Sequence, residues 1–205
     1  MPAPERLSTY PRDLWPGFFA QLGEITARVH AVPGPHFGPV AGPGHATWSA
    51  AVLASLHAIA DDLGHCGLDA ADVRKVADLA TEHHRVLDEI TEPRLLTGDL
   101  WTVNTMLDPN APTPVITGIL DLDRTLFGDP AADWTIRMAG AKQDERTAFW
   151  DTYGSRDTSP AAAWRSLVYE ARHLGAIRLE RHRLHKIAGV RDTYASLAAV
   201  LDQLT

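Results

Sequence analysis

The sequence predicts a mainly helical α+β fold with a small β-hairpin near the middle of the chain. Apolar residues recur at intervals of three and four over long segments on both sides of residues 94–120, which indicates amphipathic helices. Between these segments, short apolar and β-branched runs are separated by a polar loop and by a proline-rich turn, which indicates short strands. The chain has 205 residues, of which 45% are hydrophobic, and this is enough apolar surface for one core.

The predicted helices fall into two groups. The first group lies before the strands and comprises residues 15–30, 47–64 and 69–90. In the first of these helices, Asp13 is a candidate N-terminal cap and Pro16 fits the first turn. A connector rich in proline and glycine, residues 33–44, follows because such a composition cannot continue a helix. The second group comprises residues 134–139, 144–153, 161–187 and 190–204.

Three short strands are predicted, at residues 94–96, 105–107 and 115–120, and the last two form the hairpin. We expect a single domain over residues 1–205. Its parts are a helical part at 15–92, a segment with the polar loop and hairpin at 94–134, and C-terminal helices at 135–205.

Charge and composition argue against several classes of protein. The net charge is −7, whereas proteins that bind nucleic acids or membrane surfaces in general need a basic face, so we expect neither partner. The single cysteine, Cys66, cannot form an internal disulfide or a cysteine-based zinc site, which favours a reducing compartment. No export signal and no long apolar run is apparent in the sequence, and the expected location is the cytoplasm.

The most informative segment is the polar loop between the first two predicted strands. It carries Asp99 and, five residues later, Asn104. Residues an odd number apart point to opposite faces of a regular strand, but an irregular loop can turn both side chains toward one point. Asp121 follows an apolar strand and can emerge at the same rim. Asp123 can join it if that strand continues, since alternate residues of a strand share a face.

These side chains carry the oxygen ligands that magnesium prefers, namely carboxylates and an amide oxygen. We predict that Asn104, Asp121 and Asp123 hold Mg²⁺. A lone aspartate and asparagine at this spacing would more often form a turn or a cap. The presence of Asp121 and Asp123 further along the chain favours a metal site over a turn or a cap.

Such a set suits phosphoryl transfer. That reaction needs an acceptor hydroxyl aligned with the γ-phosphorus, a group that takes or orients the hydroxyl proton, and cations that neutralise the phosphate oxygens. Protein kinases use an aspartate, an asparagine five residues later and a further aspartate for these tasks, in the order in which they occur here.

At these residues the chain resembles the aminoglycoside phosphotransferase and choline kinase-like family, which has a protein-kinase-like fold. The family motif H-G-D-x-x-x-x-N is matched by residues 98–104, the apolar strand ending in aspartate by residues 119–121, and the motif G-D-P-x-x-D by residues 128–133. Residues 22–33, with Ala27-Arg28-Val29-His30, also resemble the first helix after the hinge between the lobes of this family. The likeness is to the C-terminal lobe.

The resemblance implies roles for individual residues. Asp99 would be the catalytic base or would orient the hydroxyl, and Asn104 and Asp121 would bind Mg²⁺ and, through it, ATP. Asp133 would be a buried acceptor that braces the backbone of the catalytic loop. The implied activity is that of an ATP-dependent O-phosphotransferase that moves the γ-phosphate to a hydroxyl of a small molecule.

The sequence departs from the family pattern in two ways. Thr97 stands where the family usually has histidine, a residue whose expected role is to hold the loop. In addition, nothing before Trp15 corresponds to the nucleotide-binding N-terminal lobe, and the three lysines, Lys75, Lys142 and Lys186, all lie in predicted helical parts. We therefore expect poor ATP binding by this chain alone.

Three alternatives follow. The chain is the C-lobe part of a small-molecule kinase, or a catalytically silent kinase-like module, or half of a split enzyme. The expected partner is a small hydroxyl-bearing substrate. A homodimer or a partner that supplies the missing lobe would cover the apolar face that the absence of a lobe exposes.

Overall fold

A computed structural model describes residues 7–205, which form two compact units. The first comprises residues 7–44 and 92–156, and the second comprises residues 45–91 and 157–205. The mainly helical α+β fold is confirmed. That residues 1–205 form a single domain stays a prediction. Within residues 7–205, no helix combines the length and the hydrophobicity that crossing a bilayer requires.

The first unit contains helices α1 (Trp15–His30), α5 (Trp134–Ala141) and α6 (Thr147–Tyr153). It also contains five short strands, β1 (Gly38–Pro39), β2 (Arg94–Leu96), β3 (Thr105–Leu107), β4 (Ile116–Ile119) and β5 (Leu126–Gly128). In one antiparallel sheet β5 is central and pairs with β1 and β2, placing Phe127 opposite both Gly38 and Leu95. Strands β3 and β4 form the predicted hairpin, with Thr105 opposite Ile119.

Helix α1 has the predicted bounds because its apolar face repeats at helical spacing and Pro16 occupies the first turn. Phe18 and Phe19 are fully buried, each contributing roughly 1.5–3 kcal/mol to stability. The prediction that Asp13 caps this helix is wrong. The chain already turns helically over Arg12–Leu14, so Leu14 enters the helix with helical dihedrals and no side chain caps it.

Helices α1 and α6 pack closely because Gly23 has no side chain. A Cβ atom at Gly23 would lie 2.2 Å from Oγ1 of Thr152 and 2.4 Å from the carbonyl oxygen of Phe149. The Thr152 hydroxyl donates to the carbonyl oxygen of Ala20 at 2.8 Å, which ties the two helices together. This contact fixes where the last residue of α6, Tyr153, meets the end of α1.

The second unit is helical and contains α2 (Trp48–His65), α3 (Ala71–Glu82), α4 (His84–Leu87), α7 (Pro160–Arg183) and α8 (Ile187–Leu204). Thr47 caps α2 by accepting from the amide of Ala50, at the predicted start of that helix. The third predicted helix, 69–90, is interrupted at His83, whose ring packs against Trp164. Its apolar period continues into α4, which is why the break could not be seen in the sequence.

A buried ion pair connects three helices of the second unit. Arg178 is fully buried on α7 and donates to both carboxylate oxygens of Asp72 on α3, at 2.9 and 2.6 Å. It also donates to the hydroxyl of Thr193 on α8 and lies 3.6 Å from the centre of the Tyr194 ring. These partners are needed because a buried charge loses its contacts with water.

Candidate active site

The loop at residues 97–104, between β2 and β3, bends sharply at Gly98. This glycine has φ +79°, a backbone region that side chains disfavour, and a Cβ atom there would lie 2.2 Å from the carbonyl oxygen of Arg124. The loop therefore packs, backbone against backbone, on the loop at residues 120–125. Two of the predicted motifs meet at this contact.

Asn104 is buried and joins the same two loops. Its amide nitrogen donates to the backbone carbonyl of Asp99 at 2.8 Å, and its own backbone carbonyl accepts from the amide of Leu120 at 2.8 Å. Since the side-chain nitrogen is used in holding Asp99, the amide oxygen is the atom of Asn104 suited to a cation.

Asp99 lies half-buried at the surface of this loop, and its carboxylate is 3.5 Å from the guanidinium of Arg124. The Arg124 side chain is 58% exposed, so solvent screens the pair and its contribution to stability is small, about 0–1 kcal/mol. The ion pair nevertheless points the Asp99 carboxylate toward the 120–125 loop, and Arg124 was not predicted to take part.

Asp121 is exposed two residues after β4 and has φ +62°. A non-glycine residue in this region is uncommon, although aspartate tolerates it better than most. Strained dihedrals of this kind often mark functional positions. Asp123 lies in the turn that follows, also exposed. The strand does not continue past Ile119, so alternation along a strand no longer places Asp123 beside Asp121.

Asp133 is completely buried at the start of α5, and its carboxylate accepts hydrogen bonds from the 97–104 loop. The donors are the backbone amides of Thr97, at 2.8 Å, and Gly98, at 3.1 Å, and the Thr97 hydroxyl, at 3.0 Å. The predicted bracing role of Asp133 is confirmed by these contacts. Thr97, in the position of the usual histidine, adds a side-chain donor to the same carboxylate.

A buried histidine completes the surroundings of Asp133. Nε2 of His30, at the end of α1, lies 2.9 Å from the Asp133 carboxylate, and Nδ1 lies 2.9 Å from the hydroxyl of Tyr153 on α6. Burial, followed by the charges of Asp133 and Asp129, raises the pKa of Tyr153 to about 12. Spacing along the sequence gives no hint of this network, because His30 lies more than 100 residues from both Asp133 and Tyr153.

A second brace on the loop depends on a tertiary contact that sequence spacing does not indicate. The hydroxyl of Thr135 on α5 donates to the carbonyl oxygen of Leu100 at 2.7 Å, and both residues are buried. Helix α5 thus holds the loop at two points, on either side of Asp99.

Asp99, Asn104 and Asp121 therefore lie on two loops in direct contact. Across residues 7–205, no group of three or more histidine, cysteine, aspartate or glutamate side chains is arranged to hold a metal ion. A cation at this rim would depend on the Asn104 amide oxygen beside the carboxylates. Its placement there stays a prediction.

Residues 11–196 match the model of the phosphotransferase enzyme family, APH. The chain belongs to this phosphotransferase family. Among curated proteins no sequence gives a significant match. The family assignment covers both units and agrees with the motifs at residues 98–133.

Solved structures similar to this family member are antibiotic phosphotransferases. A thermostable mutant of aminoglycoside phosphotransferase APH(4)-Ia in its apo form matches with TM-score 0.66 and 16% identity, over 98% of this chain and 69% of that one. Its ternary complex with AMP-PNP and hygromycin B matches with TM-score 0.61, at the same identity and coverage. The GDP and kanamycin complex of APH(2")-IIia matches with TM-score 0.59 and 17% identity, over 97% of this chain and 66% of that one.

At these identities the likeness shows the fold. The chain spans about two thirds of the length of these solved proteins, namely 66% and 69%.

Proposed function

We propose that this chain carries the catalytic segment of an ATP-dependent phosphotransferase that moves the γ-phosphate to a hydroxyl of a small molecule. Asp99 takes or orients the proton of the acceptor hydroxyl. Asn104 and Asp121 hold Mg²⁺ and, through it, the nucleotide, with Asp123 as a further ligand.

The observation that carries the proposal is the hydrogen bonding of Asn104. One residue fastens the backbone of Asp99 with its side chain and the backbone of Leu120 with its carbonyl. A base and a metal ligand must be held at a fixed distance for phosphoryl transfer, which depends mainly on positioning. The Asn104 contacts supply that constraint within the protein itself.

The residues fit magnesium in their chemistry. The proposed ligands are an amide oxygen and carboxylate oxygens, and the exposure of Asp121 and Asp123 leaves room for the water molecules that magnesium retains. Magnesium, when bound, would neutralise the phosphate oxygens. The residues of the chain would then hold the acceptor hydroxyl at Asp99 and exclude other orientations.

The substrate is proposed from the family. Two of the similar solved structures are complexes, one with GDP and kanamycin and the other with AMP-PNP and hygromycin B. We therefore propose an aminoglycoside-like acceptor with several hydroxyl groups and ATP as donor, with GTP as the alternative donor that nucleotide titration distinguishes.

A second candidate function is a binding module without catalysis. Large apolar side chains flank the candidate site and remain exposed, namely Val103, Leu120 and Leu122. Such a surface is typical of a face that another segment, a second copy or a separate lobe covers. A protein that uses this face only for docking would not need to bind a nucleotide.

Nucleotide binding and turnover distinguish the two functions. The protein purified from its native host would be titrated with Mg-ATP and Mg-GTP, and then assayed for phosphorylation of kanamycin and hygromycin B. An Asp99→Asn variant should lower kcat by about 100-fold or more, as expected for loss of a general base. Asp121→Asn should raise the Mg²⁺ concentration required for half-maximal activity.

The matched control is Asp61→Asn, an exposed aspartate on α2 in the second unit. It should leave both nucleotide binding and turnover unchanged. Failure of the native protein to bind either nucleotide, or full activity in Asp99→Asn, would exclude the catalytic proposal.

A further inference from the structure

A continuous chain of hydrogen bonds leads from α6 to the 97–104 loop. It runs from the Tyr153 hydroxyl to His30, from His30 to Asp133, and from Asp133 to Thr97 and Gly98. We propose that Tyr153 is a positioning residue for this loop. Its hydroxyl orients the His30 ring, and the ring in turn orients the carboxylate that holds the backbone next to Asp99.

The direction of each hydrogen bond follows from the groups involved. The Asp133 carboxylate can only accept, so Nε2 of His30 must carry the hydrogen of their 2.9 Å contact. In the neutral imidazole, Nδ1 is then an acceptor, and the Tyr153 hydroxyl donates to it across 2.9 Å. Without this hydroxyl, Nδ1 would face a buried environment with no donor.

Tyr153 keeps its proton over the physiological range. Burial and the charges of Asp133 and Asp129 raise the pKa of the Tyr153 phenol to about 12. Burial and these two negative charges therefore keep the Tyr153 hydroxyl protonated and able to donate to His30.

The packing leaves the His30 ring little freedom. The rings of His30 and Tyr153 meet edge to face, with centroids 5.6 Å apart and planes at 89°. The close approach of α1 and α6 at Gly23, together with the bond from Thr152 to Ala20, holds Tyr153 at that distance. A ring turned about its Cβ–Cγ bond would lose both polar partners.

The consequence for the loop follows from what Asp133 binds. Both amides at the start of the loop, and the Thr97 hydroxyl, end on this single carboxylate. The orientation of the Asp133 carboxylate thus fixes the position of the backbone that leads into Asp99. The importance of this for catalysis rests on the function proposed above, whereas the positioning itself does not.

The test is nuclear magnetic resonance of the full chain, without nucleotide. In the wild-type protein the ¹⁵N signals of His30 should report a protonated Nε2 and an unprotonated Nδ1. In Tyr153→Phe the Nδ1 signal should move, and amide hydrogen exchange at Thr97 and Gly98 should accelerate by about tenfold, as expected for loss of one hydrogen bond.

The control is Tyr169→Phe, which removes a buried hydroxyl that accepts from Nε1 of Trp48 in the second unit. It should leave His30 and both amides unchanged. A wild-type ring that carries a hydrogen on Nδ1, whether or not Nε2 also carries one, would overturn the proposal. So would exchange at Thr97 and Gly98 in Tyr153→Phe that stays within twofold of the wild-type rate.

If Tyr153→Phe does not fold, 3-fluorotyrosine incorporated at position 153 keeps the hydroxyl, adds one small fluorine atom to the ring and makes the hydroxyl a stronger donor. The Nδ1 signal of His30 should then shift, and an unchanged signal refutes the proposal. These measurements use no nucleotide. They can therefore confirm the positioning role of Tyr153 even if the protein lacks phosphotransferase activity. If they contradict that role, the proposed phosphotransferase activity is still tested separately by the Mg-ATP experiment.

Discussion

His30 and Asp133 lie 2.9 Å apart in the interior of the first unit, although 103 residues separate them in the sequence. The histidine is 6% exposed and the aspartate is fully buried. Asp133 accepts from His30 and from the amides of Thr97 and Gly98, so a single carboxylate connects the end of α1 to the candidate catalytic loop.

Asp133→Asn should destabilise the protein by about 3–5 kcal/mol, the range for breaking a buried charged network. The new amide group would present hydrogens to groups that are themselves donors. Urea unfolding measures the loss, and the exposed Asp61→Asn should change the free energy of unfolding by less than about 0.5 kcal/mol. A loss below about 1 kcal/mol in Asp133→Asn would contradict the proposed brace.

The ionisation of Tyr153 predicts a loss of stability in alkali. Its pKa is near 10 in the unfolded chain and about 12 in the folded protein. The stability that comes from this difference in pKa is fully present below pH 10 and is lost as the pH rises from 10 through 12, because the unfolded state releases the Tyr153 proton first. Partial screening by solvent limits the loss to about 2 kcal/mol.

Tyr153→Phe isolates that contribution. Unfolding free energies of the wild type and the variant would be compared between pH 8 and pH 12, so that ionisation of other groups cancels. The difference between them should narrow above pH 10. A constant difference across this range would show that Tyr153 does not titrate as described.

Gly98→Ala tests the contact between the two loops. The new methyl group would overlap the Arg124 carbonyl, and the backbone would be strained at φ +79°, so we expect a loss of about 3 kcal/mol or more. Gly67→Ala is matched to it, with φ +71° and open space around the added Cβ, and should cost only about 1 kcal/mol. Equal losses in both variants would mean that the loops do not touch at this point.

Arg178→Lys should destabilise the second unit by about 3 kcal/mol. Lysine offers one point charge and cannot reach both oxygens of Asp72 while also bonding Thr193. The exposed Arg74→Lys makes the same chemical change and should be neutral. Thermal unfolding of both variants provides the comparison, and a neutral Arg178→Lys would show that the buried pair contributes nothing specific.

Sequence patterns identified most elements because their signals are local. The period of α1 with Pro16, and the turn between β3 and β4, were sufficient for the helix and the hairpin. Strand β5 was missed because Leu126–Gly128 is too short to show alternation, and it exists through pairing with two strands distant in sequence. Helix α7 ends at Arg183 instead of the predicted 187, and α8 begins at Ile187 instead of the predicted 190. Apolar spacing does not locate the turn between two helices.

In the candidate site, too, the residues with a local sequence signal were predicted and those that depend on tertiary contacts were not. Asp99, Asn104 and Asp121 stood out by spacing, and the structure places them on touching loops. Arg124, Thr135 and the pair formed by His30 and Tyr153 were not predicted as site contacts, because their roles depend on tertiary contacts. The resemblance had identified Asp133 but not the residues that hold it from the other side.

The contact between Gly98 and Arg124 constrains how such a protein can diverge. The obstructing oxygen belongs to the main chain, so nearly every amino acid at position 124 would present it in the same way, whereas at position 98 only a hydrogen atom fits. Variation at 124 can therefore tune the charge beside Asp99 without altering the spacing of the two loops. A larger residue at 98 would separate Asp99, the proposed base, from Asp121 and Asp123 in one step.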